Sequence, residues 1–298
     1  MARYGVRLEN DPKLTPQDYQ ELSKLAEERG YETVWIPEGG GRDSLTSLAS
    51  IALNTEQIRL GTGILPIFAR TPTNTAMGAA GMAAVSGDRF ILGLGVGHRP
   101  TVEAGDGVPF KQPMTRLRET IQIVRKLLSG EQVDFPGKHF KLSGASLGAA
   151  APTAKVPIYI AALGPQMLEM AGELADGVLM NWTSVTFIPQ AVVHIKRGVD
   201  KAGRDMSDID IAGYVRVAVG EDLANARASL QRQIARYATN TFYANFFIET
   251  GFEREMNTAA AALAKGDLDK ASEAITPDMQ DEVAVLGTAG QCREALER

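Results

Sequence analysis

Hydrophobic positions along the chain follow two alternating periods, and this alternation predicts an α/β fold. Short apolar runs such as Thr33–Pro37 and Arg89–Val96 are typical of parallel strands covered on both faces. Segments with apolar residues at helical spacing, such as Thr115–Ser129, lie between them. Strand and helix alternate regularly, which indicates βα units in a barrel or a doubly wound sheet. The predicted strands are Tyr4–Leu8, Thr33–Pro37, Ile58–Leu65, Arg89–Val96, Val156–Ala161, Gly177–Asn181 and Ile209–Val219.

The first helix carries clear start and stop signals. Thr15 is a good N-cap, Pro16 follows at the first helical position, and Asp18 stands where a capping box needs an acid. Gly30 is the expected end of the helix.

Three segments interrupt the alternation and predict insertions after the fourth and seventh strands. His98–Pro113 is rich in glycine and proline, which predicts a long functional loop after strand four. Val133–Leu142 reads as a small hairpin that turns at Pro136–Gly137. Thr241–Met279, after strand seven, is rich in alanine and predicts helices without a strand.

The third strand combines a buried pattern with features that weaken a strand. Gly61 and Gly63 interrupt its apolar residues and Pro66 ends it. Glycine within a strand marks a bulge or a close approach to the backbone. We therefore expect a bulge in this strand. Either a flat ligand lies against it, or it is an ordinary bulge of a barrel strand without a ligand.

The composition of the chain indicates which class of partner it binds and where in the cell it is expected. The chain has 298 residues, 44% of them hydrophobic, and its 31 basic and 36 acidic residues give a net charge of -5. This balance argues against nucleic acid or an anionic membrane and favours a small-molecule partner. The polar N-terminus and the lack of an apolar run of membrane-spanning length predict a soluble cytoplasmic protein.

Metal and disulfide chemistry are not expected. The only cysteine, Cys292, cannot form an internal disulfide. His98, His139 and His194 are scattered without a metal-binding spacing.

Two segments carry a family resemblance. The run LGTGILPIFARTP (Leu60–Pro72) and the run AALGPQ (Ala161–Gln166) resemble luciferase-like flavin and deazaflavin oxidoreductases. The resemblance is strongest to the coenzyme F420-dependent branch that is similar to methylenetetrahydromethanopterin reductase. It covers nearly the whole chain and implies a (β/α)8 TIM barrel, a single domain over 1–298, and a homodimer. In such a barrel the active site lies at the carboxyl ends of the strands.

The end of the chain departs from this pattern. Family members continue beyond the segment matched by Gly287–Cys292, with a further strand and helix, whereas this chain stops at Arg298. We expect either that the last βα unit is missing or that Val283–Leu286 closes the barrel in another way.

The resemblance implies where the cofactor binds. A non-proline cis peptide at Gly63–Ile64 would form the bulge behind the deazaflavin ring, and Gly95, Gly97 and His98 would lie beside the ring or its side chain. The turn after strand five would receive the phosphate on backbone amides and a helix N-terminus. The expected cofactor-binding residues are Gly61, Gly63, Ile64, Gly95, Gly97, His98, Ala161, Ala162, Leu163, Gly164 and Gln166. Close packing of barrel strands is the alternative for the glycines.

Two residues are candidates for proton transfer. Glu38 follows strand two, where relatives carry an acid or a histidine near the reactive carbon, and His98 ends strand four. The alternatives are that Glu38 caps a neighbouring element and that His98 is structural.

Four further residues are candidates for substrate binding: Arg70, Arg99, Trp182 and Arg216. Arg99 is equally well explained as a solvated loop arginine. Arg216 lies within an apolar strand, so it is either paired or faces a ligand.

The expected function is hydride transfer between coenzyme F420 and a small organic substrate. One alternative is an FMN-dependent monooxygenase of the same fold. Another, of a different class, is a non-catalytic barrel that binds a ligand. The residues do not identify the substrate.

Overall fold

The computed structural model describes residues 3–9, 11, 13–39 and 41–297. The chain forms two compact units, each described by itself below. The first comprises Met1–Ala162, Met170–Leu179 and Gly198–Ile211, and the second comprises Leu163–Glu169, Met180–Arg197 and Ala212–Arg298.

Parallel strands form the main sheet, as the apolar runs predict. Seven of them follow each other in one sheet in the order β1-β2-β3-β5-β8-β9-β10, and β4 pairs with β5 beside this path. The pairings are parallel for β1 with β2, β2 with β3, β3 with β5, β5 with β8, and β8 with β9. The strands are β1 (Gly5–Arg7), β2 (Thr33–Ile36), β3 (Arg59–Thr62), β4 (Leu65–Pro66), β5 (Phe90–Gly95), β6 (Val133–Pro136), β7 (Lys141–Ala145), β8 (Ile158–Ala161), β9 (Gly177–Asn181), β10 (Asp210–Tyr214), β11 (Arg216–Val219) and β12 (Ala284–Gly287).

Helices separate the strands of the sheet. They are α1 (Pro16–Glu28), α2 (Ser44–Ala52), α3 (Pro72–Ser86), α4 (Pro113–Leu128), α5 (Pro165–Leu174), α6 (Ile188–Lys201), α7 (Ala224–Ala235), α8 (Thr241–Glu249), α9 (Glu253–Leu263), α10 (Leu268–Glu273), α11 (Pro277–Val283) and α12 (Ala289–Glu297). The predicted start of α1 is confirmed, because Thr15 and Asp18 form a reciprocal capping box. None of the helices in the described part of the chain combines the length and apolar character needed to cross a bilayer.

Both predicted insertions are present. The antiparallel hairpin β6–β7 lies between the fourth and fifth strands of the barrel order. Helices α8 to α11 lie after the seventh predicted strand, Ile209–Val219, in the segment whose alanine content predicts helices. The segment 98–113 differs from the expected plain loop, because Thr101–Gly105 forms a π-helix within it. Such short π-turns often occur at functional sites.

The third strand contains the predicted bulge. From Gly61 to Leu65 the chain advances four residues, while β5 advances three, from Ile91 to Leu94. One extra residue is therefore accommodated between β3 and β4. An extra residue of this kind bends a strand and redirects its end.

The bulge forms without the expected cis peptide. All peptide bonds among the described residues are trans, so the prediction of a cis bond at Gly63–Ile64 is wrong. The extra residue bends the strand instead, and the bulge is fixed to β2 by hydrogen bonds from the Gly63 amide to the Ile36 carbonyl and from the Glu38 amide to the Ile64 carbonyl. A Cβ on Gly63 would lie 2.8 Å from the Cα of Pro37. The close approach of Pro37 is therefore sufficient to require glycine at position 63.

The seventh predicted strand breaks at Val215 into β10 and β11. β11 pairs in parallel with β12, which contains most of the segment Val283–Leu286. The structure shows Ala284–Gly287 as a strand paired with β11 in a separate two-stranded sheet, and the two expectations for this region stay predictions. Cys292 is buried behind it, where its thiol donates to the Gly287 carbonyl at 3.5 Å.

An ion-pair cluster in the first unit gives a testable dependence of stability on pH. Glu173 accepts hydrogen bonds from Arg118 at 2.6 and 2.9 Å and from Lys201 at 3.1 Å, and Arg118 is the main cause that lowers the pKa of Glu173 to about 2. A depressed carboxyl pKa stabilises the fold above the unfolded-state value of 4.5, and this contribution is lost as the pH falls towards 2.

We therefore expect Glu173→Gln to lower the free energy of unfolding by about 2 kcal/mol at pH 7. The difference from wild type should shrink as the pH is lowered from 5 to about 2. Urea unfolding at a series of pH values measures both quantities. A difference that stays constant over this range would contradict the assignment.

Candidate active site

In the first unit, the predicted residues lie where the parallel strands end. Glu38 follows β2, Gly63 and Ile64 form the bulge between β3 and β4, and Gly97 and His98 follow β5. These strands are neighbours in the sheet, so their carboxyl ends share one edge. This edge is the expected place for a site in a fold of this class.

Glu38 is held by α2 and by Arg70. Its Oε2 atom accepts hydrogen bonds from the Ser44 amide at 3.2 Å and the Ser44 hydroxyl at 3.1 Å, and Arg70 Nη2 lies 3.3 Å away. Arg70 also pairs with Asp43, the N-cap of α2. The predicted alternative that Glu38 caps a neighbouring element is therefore confirmed.

Arg70 is consequently already neutralised inside the protein. Two carboxylates, Glu38 and Asp43, contact its guanidinium group, and the two acids balance more than its single charge. A substrate anion would compete with both.

His98 starts the segment that contains the π-helix. Its carbonyl accepts the amide of Val102 at 3.0 Å, and Gly97 before it has a φ of 70°, a conformation that favours glycine. Atoms packed around the His98 ring lower its pKa by desolvation, although the residue remains exposed. The lowered pKa favours the neutral form of the imidazole.

Arg99 contacts its own loop. It pairs with Glu103 at 3.4 Å, and its guanidinium carbon lies 5.0 Å from the centre of the Phe110 ring. The side chain is largely exposed. The alternative of a solvated loop arginine describes it better than the predicted substrate contact.

The glycines of the central strands are explained first by packing. A Cβ on Gly61 would lie 2.2 Å from the Trp35 ring, and one on Gly93 would lie 2.1 Å from the Thr62 carbonyl. A Cβ on Gly95 would meet Ile64 at 3.1 Å. The alternative of close strand packing is thus realised at these positions, and a cofactor role for Gly61 and Gly95 stays a prediction.

The turn after β8, the fifth predicted strand, is only partly available to a ligand. In the first unit, Ala161 pairs with Leu179, and the Ala162 amide donates to the Leu179 carbonyl at 3.0 Å. The amide of Ala162 is therefore committed to the sheet and does not match its predicted role. Ala161 and Ala162 are positioned by β8 rather than by a phosphate loop.

The second unit contains the open part of this turn. Gly164 lies just before α5 and is exposed together with Gln166, and its carbonyl accepts the amides of Met167 and Leu168 at 3.0 Å. A Cβ on Gly164 would meet no heavy atom within 4 Å. The first amides of a helix have no acceptor within the helix and attract anions.

Trp182 and Arg216 form a stacked pair in the second unit. The guanidinium carbon of Arg216 lies 3.4 Å from the centre of the Trp182 ring, and the edges of Tyr237 and Phe247 pack around the same indole. The sequence predicted that Arg216 needs a partner, and the indole supplies one by a cation–π contact. The surrounding aromatic residues of α8 and of the segment before it were missed, because their distance in sequence gives no signal.

The backbone and the polar atoms at this position are unusual. Trp182 has a φ of 57° and is fully buried, and its Nε1 atom has no hydrogen-bond partner among the described residues. Asn181 donates from Nδ2 to the Tyr243 hydroxyl at 2.9 Å, but its Oδ1 has no such partner. Strained backbone and unsatisfied buried polar atoms tend to collect where ligands bind.

Metal binding finds no support in the part of the chain that the structure describes. Groups of three or more histidine, cysteine, aspartate or glutamate side chains suited to hold a metal ion do not occur there.

Comparison with known proteins assigns the family. The profile of the luciferase-like monooxygenase family matches residues 2–298. The chain belongs to this family. As a luciferase-like protein it is 36% identical over 307 aligned positions to 5,10-methylenetetrahydromethanopterin reductase of Methanolobus tindarius, an alignment that covers 98% of this chain and 89% of the relative.

Two further similarities refine this placement. The luciferase-like chain is 31% identical to F420-dependent glucose-6-phosphate dehydrogenase of Rhodococcus hoagii, over 71% of this chain and 67% of the relative. Its fold matches the structure of coenzyme F420-dependent tetrahydromethanopterin reductase from Methanopyrus kandleri with a TM-score of 0.83, 28% identity, and coverage of 99% of this chain and 89% of that chain. The predicted (β/α)8 barrel class is thereby confirmed.

Proposed function

We propose that this luciferase-like protein is a coenzyme F420-dependent oxidoreductase that transfers a hydride between the deazaflavin and a small organic substrate. The observation that carries the proposal is the 36% identity to a methylenetetrahydromethanopterin reductase over nearly the whole chain. The F420-dependent dehydrogenase similarity supports the same cofactor with a different substrate. The cofactor supplies the redox chemistry, and the protein supplies binding, orientation and proton transfer.

The residues present fit such a cofactor. The exposed start of α5, at Gly164 and Gln166, offers helix amides to a phosphate group. The bulge at Gly63–Ile64 redirects the end of the third strand, and the exposed His98 follows β5, which pairs with β3 and β4. In the second unit, the buried Asn181 Oδ1 and Trp182 Nε1 atoms have no hydrogen-bond partner among the described residues, and this supports a ligand contact near them.

Within this proposal, each of the chain's own groups has a distinct role. Glu38, held in place by Ser44 and Arg70, accepts a proton at its carboxylate oxygen, and His98 hydrogen-bonds a polar group of the ligand. Trp182 and Arg216 wall the substrate and exclude water from it.

Glu38→Gln should lower turnover by at least about tenfold without changing the affinity for coenzyme F420. The amide keeps the size of the side chain and a contact with Ser44 but cannot accept a proton. Asp43→Asn is the matched control, because it removes the other acid that pairs with Arg70 and keeps the N-cap oxygen. Stopped-flow measurement of hydride transfer in both variants tests the role, and an unchanged rate in Glu38→Gln would remove Glu38 from the mechanism.

The substrate is tested by direct assay. Reduced coenzyme F420 is mixed without oxygen with methylenetetrahydromethanopterin, and oxidised coenzyme F420 is mixed with glucose 6-phosphate. Oxidation or reduction of the deazaflavin in either mixture supports hydride transfer and identifies the substrate class. Consumption of oxygen with reduced FMN, and no reaction with either deazaflavin mixture, would instead indicate the monooxygenase alternative.

We further propose that the chain acts as one catalytic domain, as a homodimer, in the cytoplasm. These three proposals rest on the resemblance to the family and on the composition, which favours a soluble protein. Sedimentation equilibrium measures the mass in solution, and a mass of one chain over the working concentration range would contradict the dimer.

A further inference from the structure

A hollow of about 540 Å³ lies in the first unit beside the start of α4, outside every residue so far placed in the site. Its size is within the range typical of small-molecule pockets. Three of its polar side chains are basic and none is acidic. The lining residues are Val108, Pro109, Lys111, Gln112, Arg116 and His139.

Arg116 is fixed in this hollow by two aromatic rings. Its guanidinium carbon lies 4.9 Å from the centre of the Phe68 ring and 4.7 Å from that of Phe140, and its Nε donates to the Ile67 carbonyl at 3.3 Å. No described residue accepts a hydrogen bond from its two terminal nitrogens. A guanidinium group held flat in this way presents two parallel donors, the geometry that binds carboxylate or phosphate in bidentate fashion.

The positive charge of Arg116 is only partly balanced within the protein. Burial lowers its pKa, and Glu119 acts in the opposite direction. The Glu119 carboxylate, however, accepts the backbone amides of residues 138–140 and has no hydrogen bond to the guanidinium. A half-buried charge without a directly bonded counter-ion is unfavourable unless a ligand supplies one.

Two further groups, Lys111 and His139, line the hollow. Lys111 is exposed and forms no ion pair with the described residues. His139 Nε2 is inaccessible to solvent and has no hydrogen-bond partner in the part of the chain that is described. Lys111 and the terminal nitrogens of Arg116 therefore give the hollow donors that lack acceptors among the described residues.

The first turn of α4 faces the same region. Gln112, its N-cap, has a φ of 49° and makes no side-chain capping bond, and Pro113 follows at the first helical position. The uncapped amides and the positive end of the helix dipole therefore add to the attraction for an anion.

We propose that this hollow is an oxyanion site that binds a carboxylate or phosphate group of a small molecule between Lys111, Arg116 and the start of α4. The site stands on the geometry of the first unit alone and does not depend on the proposed function. Its occupant is either a free anion or an anionic part of the redox cofactor.

The test measures binding of inorganic phosphate and of citrate to the purified full chain by calorimetry, at constant ionic strength with chloride as the reference. Saturable binding with one site per chain is expected. Lys111→Ala should weaken it at least about fivefold, and Arg116→Lys, which keeps the charge but loses the bidentate fork, by about tenfold. Lys141→Ala, which removes an exposed lysine of β7 away from the lining, should leave the affinity unchanged.

Two results would overturn the site. One is the absence of saturable binding of either anion above the chloride reference. The other is an unchanged affinity in Lys111→Ala, an exposed substitution that does not endanger folding. If Arg116→Lys fails to fold, the Lys111 result still decides.

A titration of coenzyme F420 with and without saturating phosphate separates the two sources. Competition in the wild type that disappears in Lys111→Ala assigns the hollow to an anionic part of the cofactor. Independent binding of phosphate and cofactor assigns it to a free anion. Because phosphate binding is measured without cofactor, failure of the oxyanion site and failure of the proposed function give different results.

Discussion

Gly164→Asp is expected to lower the affinity for coenzyme F420 by about thirtyfold while leaving the fold intact. The residue is exposed before α5, and a side chain there meets no heavy atom within 4 Å, so the substitution is tolerated sterically. A carboxylate placed where the cofactor phosphate is proposed to bind repels it, and a loss of about 2 kcal/mol corresponds to this change in affinity. Fluorescence titration with the cofactor measures the effect.

Gly164→Asn is the matched control for this experiment. Asparagine has nearly the same size and shape as aspartate but no charge, and it should keep the affinity within about threefold of wild type. The effect of aspartate should also weaken as salt is raised, because the repulsion is exposed to solvent. Equal losses in both variants would show that the cause is steric, and no loss in either would remove the α5 start from the cofactor site.

Glu119→Ala should lower the free energy of unfolding by about 3 kcal/mol. The carboxylate is buried, and it accepts the amides of Lys138, His139 and Phe140 at 2.7, 2.9 and 3.1 Å. These hydrogen bonds keep its pKa below the usual range despite burial. Alanine leaves three amides of the hairpin turn without their acceptor, and each loss of this kind is destabilising.

Urea denaturation followed by circular dichroism measures this change. Glu28→Ala, at an exposed position near the end of α1, is the control and should change the stability by less than about 0.5 kcal/mol. Glu119→Gln keeps one acceptor oxygen and should fall between the two. A loss in Glu119→Ala no larger than that of the control would mean that the turn does not depend on the carboxylate.

Local signals in the sequence were sufficient for the elements and their order. The capping box of Thr15 and Asp18, the apolar run of β5 and the hairpin after α4 all form as predicted. Each depends on residues close in sequence, whose conformational preferences the side chains themselves set. The bulge of the third strand was predicted for the same reason, since glycine interrupts the strand pattern locally.

The details of the site could not be predicted because they depend on residues distant in sequence. Glycine at position 63 reflects the approach of Pro37, and the environment of Arg216 is the indole of Trp182. The family resemblance indicated a cis peptide where the structure accommodates an extra trans residue instead. Likewise, Arg116 packs between Phe68 and Phe140, which lie in separate segments of the chain. No spacing pattern in the sequence predicts these contacts.

A chain that uses a deazaflavin must bind coenzyme F420 in preference to FMN. The purified protein is titrated with coenzyme F420 and, separately, with FMN, while the fluorescence of each cofactor is followed. Saturable binding of coenzyme F420 at micromolar concentration or below, with FMN at least about tenfold weaker, is the predicted result. Preference for FMN, or binding of neither, would contradict it.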